Sequence, residues 1–218
     1  MPTQAVEEYL ESIYKLNLRG GRVIAARLAE DLSVSAPTAT EMLRRLRDAG
    51  YVRMGAEKEI TLTDAGVAAA EVLVRRHRLS ERLLTDILGM PWSRAHEEAC
   101  KFEHVISPEV EARLARVLDN PSTCPHGNPI PGTGGGGEEL VRLSQAPVGS
   151  RGQLRCVEAE DEELLSYVER LGLVPGAIVE VLGFSPLEGP VEVRVSDERV
   201  SVGLAAAERL LMRLISTA

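Results

Sequence analysis

The spacing of apolar residues changes along the chain and marks out its elements. Val6, Leu10, Ile13, Tyr14, Leu16 and Leu18 recur at helical spacing and predict a helix over 3–18, closed by Arg19-Gly20-Gly21. A short helix over 24–31 and a tight turn at Ser33-Val34 follow. Ser35-Ala36-Pro37-Thr38 then opens a further helix. Ser35 serves as its N-cap, and Pro37 falls in the first turn, where a missing N–H costs nothing. Ala39, Met42, Leu43 and Leu46 face inward, and Ala49-Gly50 stops the helix. Helix, four-residue turn and helix make a helix-turn-helix. The period then drops to two over 51–54 and 59–63, on either side of Gly55-Ala56-Glu57-Lys58, which reads as the hairpin of a winged helix.

Helical spacing returns at Asp64, placed as the cap of a long helix to about residue 88 with Val72 and Leu73 in the core. Ser93 is placed as the cap of the next helix. Ser107-Pro108-Glu109 opens another, which runs to residue 118. These helices are rich in apolar residues, among them Leu79, Leu83, Leu84, Val110 and Val117, and are expected to pair across a two-fold axis. Residues 120–137 hold four prolines and six glycines, and Thr133-Gly134-Gly135-Gly136-Gly137 reads as a flexible tether. Beyond it, strands are expected over 152–158, 178–184, 191–195 and 199–203, with an acidic helix over 161–171, the pattern of a small SH3-like barrel.

The expected fold is therefore mainly α with small β parts. It comprises an N-terminal winged helix-turn-helix (1–72), a helical dimerisation domain (73–120), a Pro/Gly-rich linker (121–146) and a C-terminal SH3-like β-barrel (147–218).

Composition narrows the function. A net charge of −8 excludes a uniformly basic nucleic-acid coat, yet residues 19–53 carry seven arginines against four acids. Arg44, Arg45 and Arg47, with Arg27, are candidates for phosphate contact; Ser35, Pro37, Thr38, Thr40 and Glu41 lie at the start of the reading helix, where Glu41 can accept from a cytosine amino group. The partner expected is double-stranded DNA. Aromatic residues make up only 3%, which argues against a stacking platform for single strands. No run of about 18 apolar residues occurs, so no membrane span is expected. The first residues lack a basic and an apolar export region, and Cys100, Cys124 and Cys156 form a sparse, odd set suited to a reducing cytoplasm.

The candidate chemistry lies between His77 and His104. His77 and Glu81 stand at i and i+4, and His96, Cys100, Glu103 and His104 at i, i+4, i+7 and i+8. Two helical faces that each present nitrogen, oxygen or sulfur donors make a transition-metal site. Lone histidines are usually surface or core residues; the clustering of donors on two faces is what sets this stretch apart.

Five runs then resemble the diphtheria toxin repressor family of iron- and manganese-dependent repressors: Glu8-Tyr9-Leu10, Ser35-Ala36-Pro37-Thr38, the stretch 76–86, the stretch 96–104, and Pro125-His126-Gly127-Asn128-Pro129-Ile130-Pro131-Gly132. The resemblance covers essentially the whole chain. It implies a homodimeric repressor that binds operator DNA when Mn2+ or Fe2+ is abundant and controls metal-uptake genes, with two metal sites per subunit. One site would take Glu8, Cys100, Glu103 and His104; the other would take His77, Glu81 and His96 with Asp161 from the barrel. A further family ligand position falls on Leu164, which has no donor atom. Glu11 matches an extra ligand of the manganese branch, and Cys124 resembles a ligand of some manganese regulators. Iron-responsive members are similar but carry methionine where Glu8 stands, so the carboxylate leans toward manganese, whereas Cys100 pulls toward softer ions. Neither an enzymatic activity nor an organic cofactor is expected. The rival readings are a winged-helix regulator of an organic ligand and a metalloenzyme.

Overall fold

Ser35 acts as the sequence predicts: its hydroxyl accepts from the Thr38 amide and its backbone is extended, so the helix that follows starts there. The computed structural model describes residues 3–18, 20, 22–134, 138–158 and 161–215. It divides into two units, Met1–Arg76 and His77–Ala218. Arg19, Gly21, Gly135, Gly136 and Gly137, expected in the first helix end and the tether, lie outside the described residues.

The first unit runs α1 (Gln4–Leu18), α2 (Ala25–Asp31), α3 (Ala36–Asp48), β1 (Val52–Met54), β2 (Ile60–Leu62) and the start of α4 (Asp64–Arg82). α2 and α3 are joined by a turn in which Ser33 takes a left-handed φ of 52° and the Val34 amide returns to the Ala29 carbonyl. Gly50, at φ +80°, ends α3. β1 and β2 pair antiparallel with Arg53 opposite Thr61, and the Ile60 amide reaches the Val23 carbonyl. Leu10, Ile13, Leu28, Leu43, Leu46 and Ile60 form the core, the inward residues of each amphipathic element. This is the expected winged helix-turn-helix. The cap of α4 is Thr63 rather than Asp64, because Thr63 Oγ1 accepts from the Gly66 amide at 3.1 Å. Leu73 is buried, but Val72 beside it is exposed.

In the second unit α4 continues to Arg82 and then widens into a π-helical turn, Leu83–Ile87. α5 (Trp92–Phe102) follows, with Pro91 rather than Ser93 at its N-cap; Ser93 is buried in the first turn. α6 (Pro108–Val117) is capped by Ser107 as expected. The segment 121–133 is shaped rather than slack. Thr123 bridges Pro129, the Ile130 amide bonds the Ser122 carbonyl, and Cys124, His126 and Ile130 are buried.

The β part contains β3 (Val141–Arg142), β4 (Arg151–Val157), α7 (Glu162–Arg170), β5 (Ile178–Phe184), β6 (Val191–Val195), β7 (Glu198–Val202), α8 (Leu204–Ala207) and β8 (Leu210–Leu214). These strands form one antiparallel sheet in the order β3-β8-β4-β5-β6-β7. The expected strands are present, while β3, α8 and β8 are additions that sequence periodicity missed. Leu154, Val157, Leu165, Val181, Val193 and Met212 fill its core, and Trp92 of α5 packs against it. No helix among the described residues is long and apolar enough to cross a membrane.

Candidate metal centre

α4 positions the first donors. His77 and Glu81, one turn apart, are buried to 1% and 0% exposure. α5 brings His96 and Cys100, again one turn apart. The α-helix ends at Phe102, and Glu103 and His104 sit in a 3-10 turn (Glu103–Val105), so the predicted single α-helical face over 96–104 breaks there. Glu103 nevertheless points inward and is buried.

The side chains converge on two imidazoles and one carboxylate. His77 Nε2 lies 3.0 Å from His96 Nδ1 and 3.1 Å from Glu81 Oε1. His96 Nδ1 is 3.3 Å from the same oxygen. On its other edge, His77 Nδ1 meets Glu103 Oε2 at 2.5 Å. Cys100 Sγ stands 3.8 Å from His96 Nε2 and 4.0 Å from His77 Nδ1. His104 Nε2 is 3.3 Å from Glu103 Oε1.

The 121–133 segment adds two donors. His126, wholly buried, places Nδ1 3.3 Å from Glu81 Oε1 and 3.9 Å from Cys124 Sγ, while its Nε2 meets the Trp92 carbonyl at 2.9 Å. His126 was not predicted as a ligand. The signal was its place two residues after Cys124, but Pro125, Gly127 and Pro129 mark the segment as a loop, where spacing fixes no shared face. Glu81, Cys124 and His126 make one compact donor group, and His77, His96 and Cys100 another.

Charge follows this geometry. Burial pushes the Glu81 carboxyl up, but the His77 charge and hydrogen bonds from His126, His77 and His96 outweigh it and hold it well below the usual carboxylate range. Burial lowers the His126 imidazole, yet its bonds to Cys124 and Glu81 lift it to about 11. Burial raises the Cys100 thiol, and the bonds to His77 and His96 bring it down to about 7, near the range where a thiolate ligand forms readily.

Other expected ligands stand apart in character. In the first unit, Glu8 is half-buried and accepts from Gln4 at 3.0 Å, and Glu11 is buried with Lys15 at 2.9 Å. Asp161 is exposed, and its Oδ1 accepts from the Leu164 amide at 2.8 Å. The structure thus uses that carboxylate as the N-cap of α7.

On the reading helix, Pro37, Thr38, Thr40, Glu41, Arg44, Arg45 and Arg47 are all exposed, and on α2 Arg27 is half-buried. The Thr40 hydroxyl bonds back to the Ala36 carbonyl. Glu41 is salt-bridged to Arg44 at 2.9 Å and to Arg45 at 3.4 Å. The bond from Arg44 lowers its carboxyl. Between α3 and the hairpin lies a groove lined by Thr40, Glu41, Arg44, Arg47, Met54 and Lys58.

The family described as "Iron dependent repressor, N-terminal DNA binding domain" matches residues 1–59, "Iron dependent repressor, metal binding and dimerisation domain" matches 63–132, and "FeoA domain" matches 141–214. A relative, the iron-dependent repressor IdeR of Mycobacterium bovis, is 41% identical over 189 residues, covering 80% of this chain and 82% of its own. The chain belongs to the iron-dependent repressor family. The diphtheria toxin repressor of Corynebacterium efficiens is 37% identical over 188 residues, 81% of this chain and 82% of its own. Among solved structures, a manganese-dependent transcriptional repressor in complex with manganese superposes with a TM-score of 0.89 at 31% identity, covering 96% of this chain and all of that one. The family's metal binding and dimerisation region spans all eight donors from His77 to His126 named above.

The residues fit a divalent ion of the kind this family is named for. Glu81 Oε2 is buried and has no hydrogen-bond partner among the described residues, in a shell of imidazoles and a thiol. Such an orphaned oxygen is costly to bury unless a cation or proton satisfies it.

Proposed function

We propose that this protein is a homodimeric, metal-dependent transcriptional repressor that binds operator DNA when Mn2+ or Fe2+ is abundant and so controls metal-uptake genes. The observation that carries the reading is the buried donor set around Glu81, in a chain that also holds a winged helix with an exposed, arginine-bearing reading helix. A bound ion would add positive charge to a largely buried group that holds the carboxylates of Glu81 and Glu103 and the sulfurs of Cys100 and Cys124. His77, Glu81 and His96 would hold it with Cys124 and His126, and Cys100, Glu103 and His104 are the further donors of the same unit. Glu103 orients the His77 ring, as an outer carboxylate does in many metal–histidine sites.

Arg44, Arg45 and Arg47 supply sequence-independent attraction to phosphate, and Thr38, Thr40 and Glu41 supply the base-reading edge. Exposed Ile87, Leu88, Phe102, Val105, Val110 and Val117 give the helical part apolar area suited to a two-fold partner. The protein would work in the cytoplasm, where its three free cysteines stay reduced.

Anaerobic titration with Mn2+ and Fe2+, read by gel shift on operator DNA, tests the reading and ranks the ions. Glu8→Ala, the donor assigned to α1 by family resemblance, is expected to abolish metal-dependent shifting while circular dichroism stays that of a folded protein. Operator affinity that does not respond to either metal in the parent protein sinks the proposal.

A further inference from the structure

α4 carries two parallel stripes one residue apart. His77 and Glu81 form the donor stripe. Arg78 and Arg82, also one turn apart, form the other, and both reach the 121–133 segment. Arg82 Nε donates to the Thr123 carbonyl at 2.8 Å, and its Nη2 reaches the Cys124 carbonyl at 3.3 Å and Thr123 Oγ1 at 3.4 Å. Arg78 Nη1 donates to the Pro129 carbonyl. The two arginines therefore grip both ends of the short loop whose middle holds Cys124 and His126. Within that loop the Cys124 amide bonds the Asn128 carbonyl, and the Gly127 amide bonds the Cys124 carbonyl.

We propose that Arg78 and Arg82 are positioning residues that set the loop donors Cys124 and His126 in register with Glu81, and so tune the metal affinity of that donor group without touching the ion. The proposal rests on the metal-dependent reading above and deepens it. A loop has no helical period to fix where its donors point, so their placement must come from elsewhere. An arginine offers five N–H donors in a rigid planar fork, which spans two successive carbonyls in fixed geometry, whereas a lysine offers a single rotatable ammonium. Among the described residues, neither arginine is spent on a deep ion pair. Arg82 also meets Asp86, but that carboxylate is largely exposed, and Arg78, at 6% exposure, is buried against the loop. The π turn begins at Leu83, right after Arg82, so the two arginines occupy the last regular α-helical turn before it. The same loop is tied on its far side to β4, where the Val157 amide bonds the His126 carbonyl at 3.0 Å and Asn128 Nδ2 donates to the Val157 carbonyl at 3.1 Å. With the loop held on both sides, the fork from α4 is what brings its sulfur and imidazole to the carboxylate.

The test uses the full chain, stripped of metal and titrated anaerobically with Co2+, whose thiolate charge-transfer absorption reports each cysteine. Cys100→Ser isolates the Cys124 signal, and Cys124→Ser isolates that of Cys100. Arg82→Met is expected to weaken Co2+ binding by about 10- to 100-fold and reduce the band in the Cys100→Ser background. It is expected to leave the Cys100 band unchanged in the Cys124→Ser background. Arg82→Lys should restore part of the loss. Arg78→Met should show the same selectivity and stands in if Arg82→Met does not fold. Equal loss on both cysteines, or loss on neither, overturns the clamp while leaving the metal reading intact. Absence of any Cys124 band in the Cys100→Ser parent overturns the clamp together with the assignment of Cys124 as a ligand.

Discussion

The donors that meet at Glu81 Oε1 come from two kinds of scaffold. Those on α4 and α5 stand at i and i+4 on helices whose backbone bonds fix them before any ligand arrives. Those at Cys124 and His126 ride on a loop whose carbonyls are held by arginines and whose far side is stitched to a strand. Helix donors need only the right spacing. Loop donors need a backbone that can pass close to its neighbours and side chains that hold it there. Glu81 is where the two meet, since its Oε1 is contacted from both.

That makes Glu81 the point where the comparison breaks most completely. Glu81→Gln should weaken metal binding at both groups by at least about 100-fold, more than loss of an outer partner costs. Anaerobic Co2+ titration of the single-cysteine variants reads each group. If one group keeps parental affinity, Glu81 belongs to the other alone.

The next largest effect should separate the scaffolds. Gly127 has φ +86°, and a Cβ there would sit 1.9 Å from the Arg155 carbonyl oxygen. Gly127→Ala must therefore move the loop off β4. The left-handed backbone alone costs about 1–3 kcal/mol in a non-glycine residue, and the clash adds to it. A fall in thermal midpoint of several degrees is expected, with the Cys124 band lost and the Cys100 band kept. An unchanged Cys124 band would show that the loop finds its place without the close approach.

The same contrast explains what was legible in the sequence. The winged helix could be read because Ser35, Pro37 and Gly50 are local signals with local causes, and the i, i+4 donors because a helix converts spacing into a shared face. β3 is two residues long, and β8 reads Leu-Leu-Met-Arg-Leu, so neither shows the alternation that marks a half-buried strand. The π turn at Leu83–Ile87 has the same apolar residues as an α-helix, so periodicity cannot tell them apart. Thr63 and Asp64 are both good caps, and the choice between them is made by the strand that delivers Thr63. His126 was hidden for the plainest reason: the loop that aims it is held by contacts 41 and 51 residues away in sequence, which no local pattern records.

Asp161 gives the finest distinction, because one carboxylate has two candidate roles. It stands as the N-cap of α7, with Oδ1 on the Leu164 amide, while family resemblance assigns it to the metal. The two roles respond differently to an isosteric change. Asn caps a helix about as well as Asp, so Asp161→Asn should leave stability within a few tenths of a kcal/mol, whereas Asp161→Ala should lose about 0.5–2 kcal/mol. As a ligand, however, a carboxamide lacks the negative charge, so metal affinity would drop in both variants alike. We expect the capping pattern: Asp161→Asn matches the parent in denaturant midpoint and in Co2+ affinity, and only Asp161→Ala departs, in stability alone. A tenfold or greater loss of affinity in Asp161→Asn with an unchanged midpoint would instead return the barrel to the metal centre as a source of a ligand. The loop donors would then be joined by one whose other oxygen still holds its own helix.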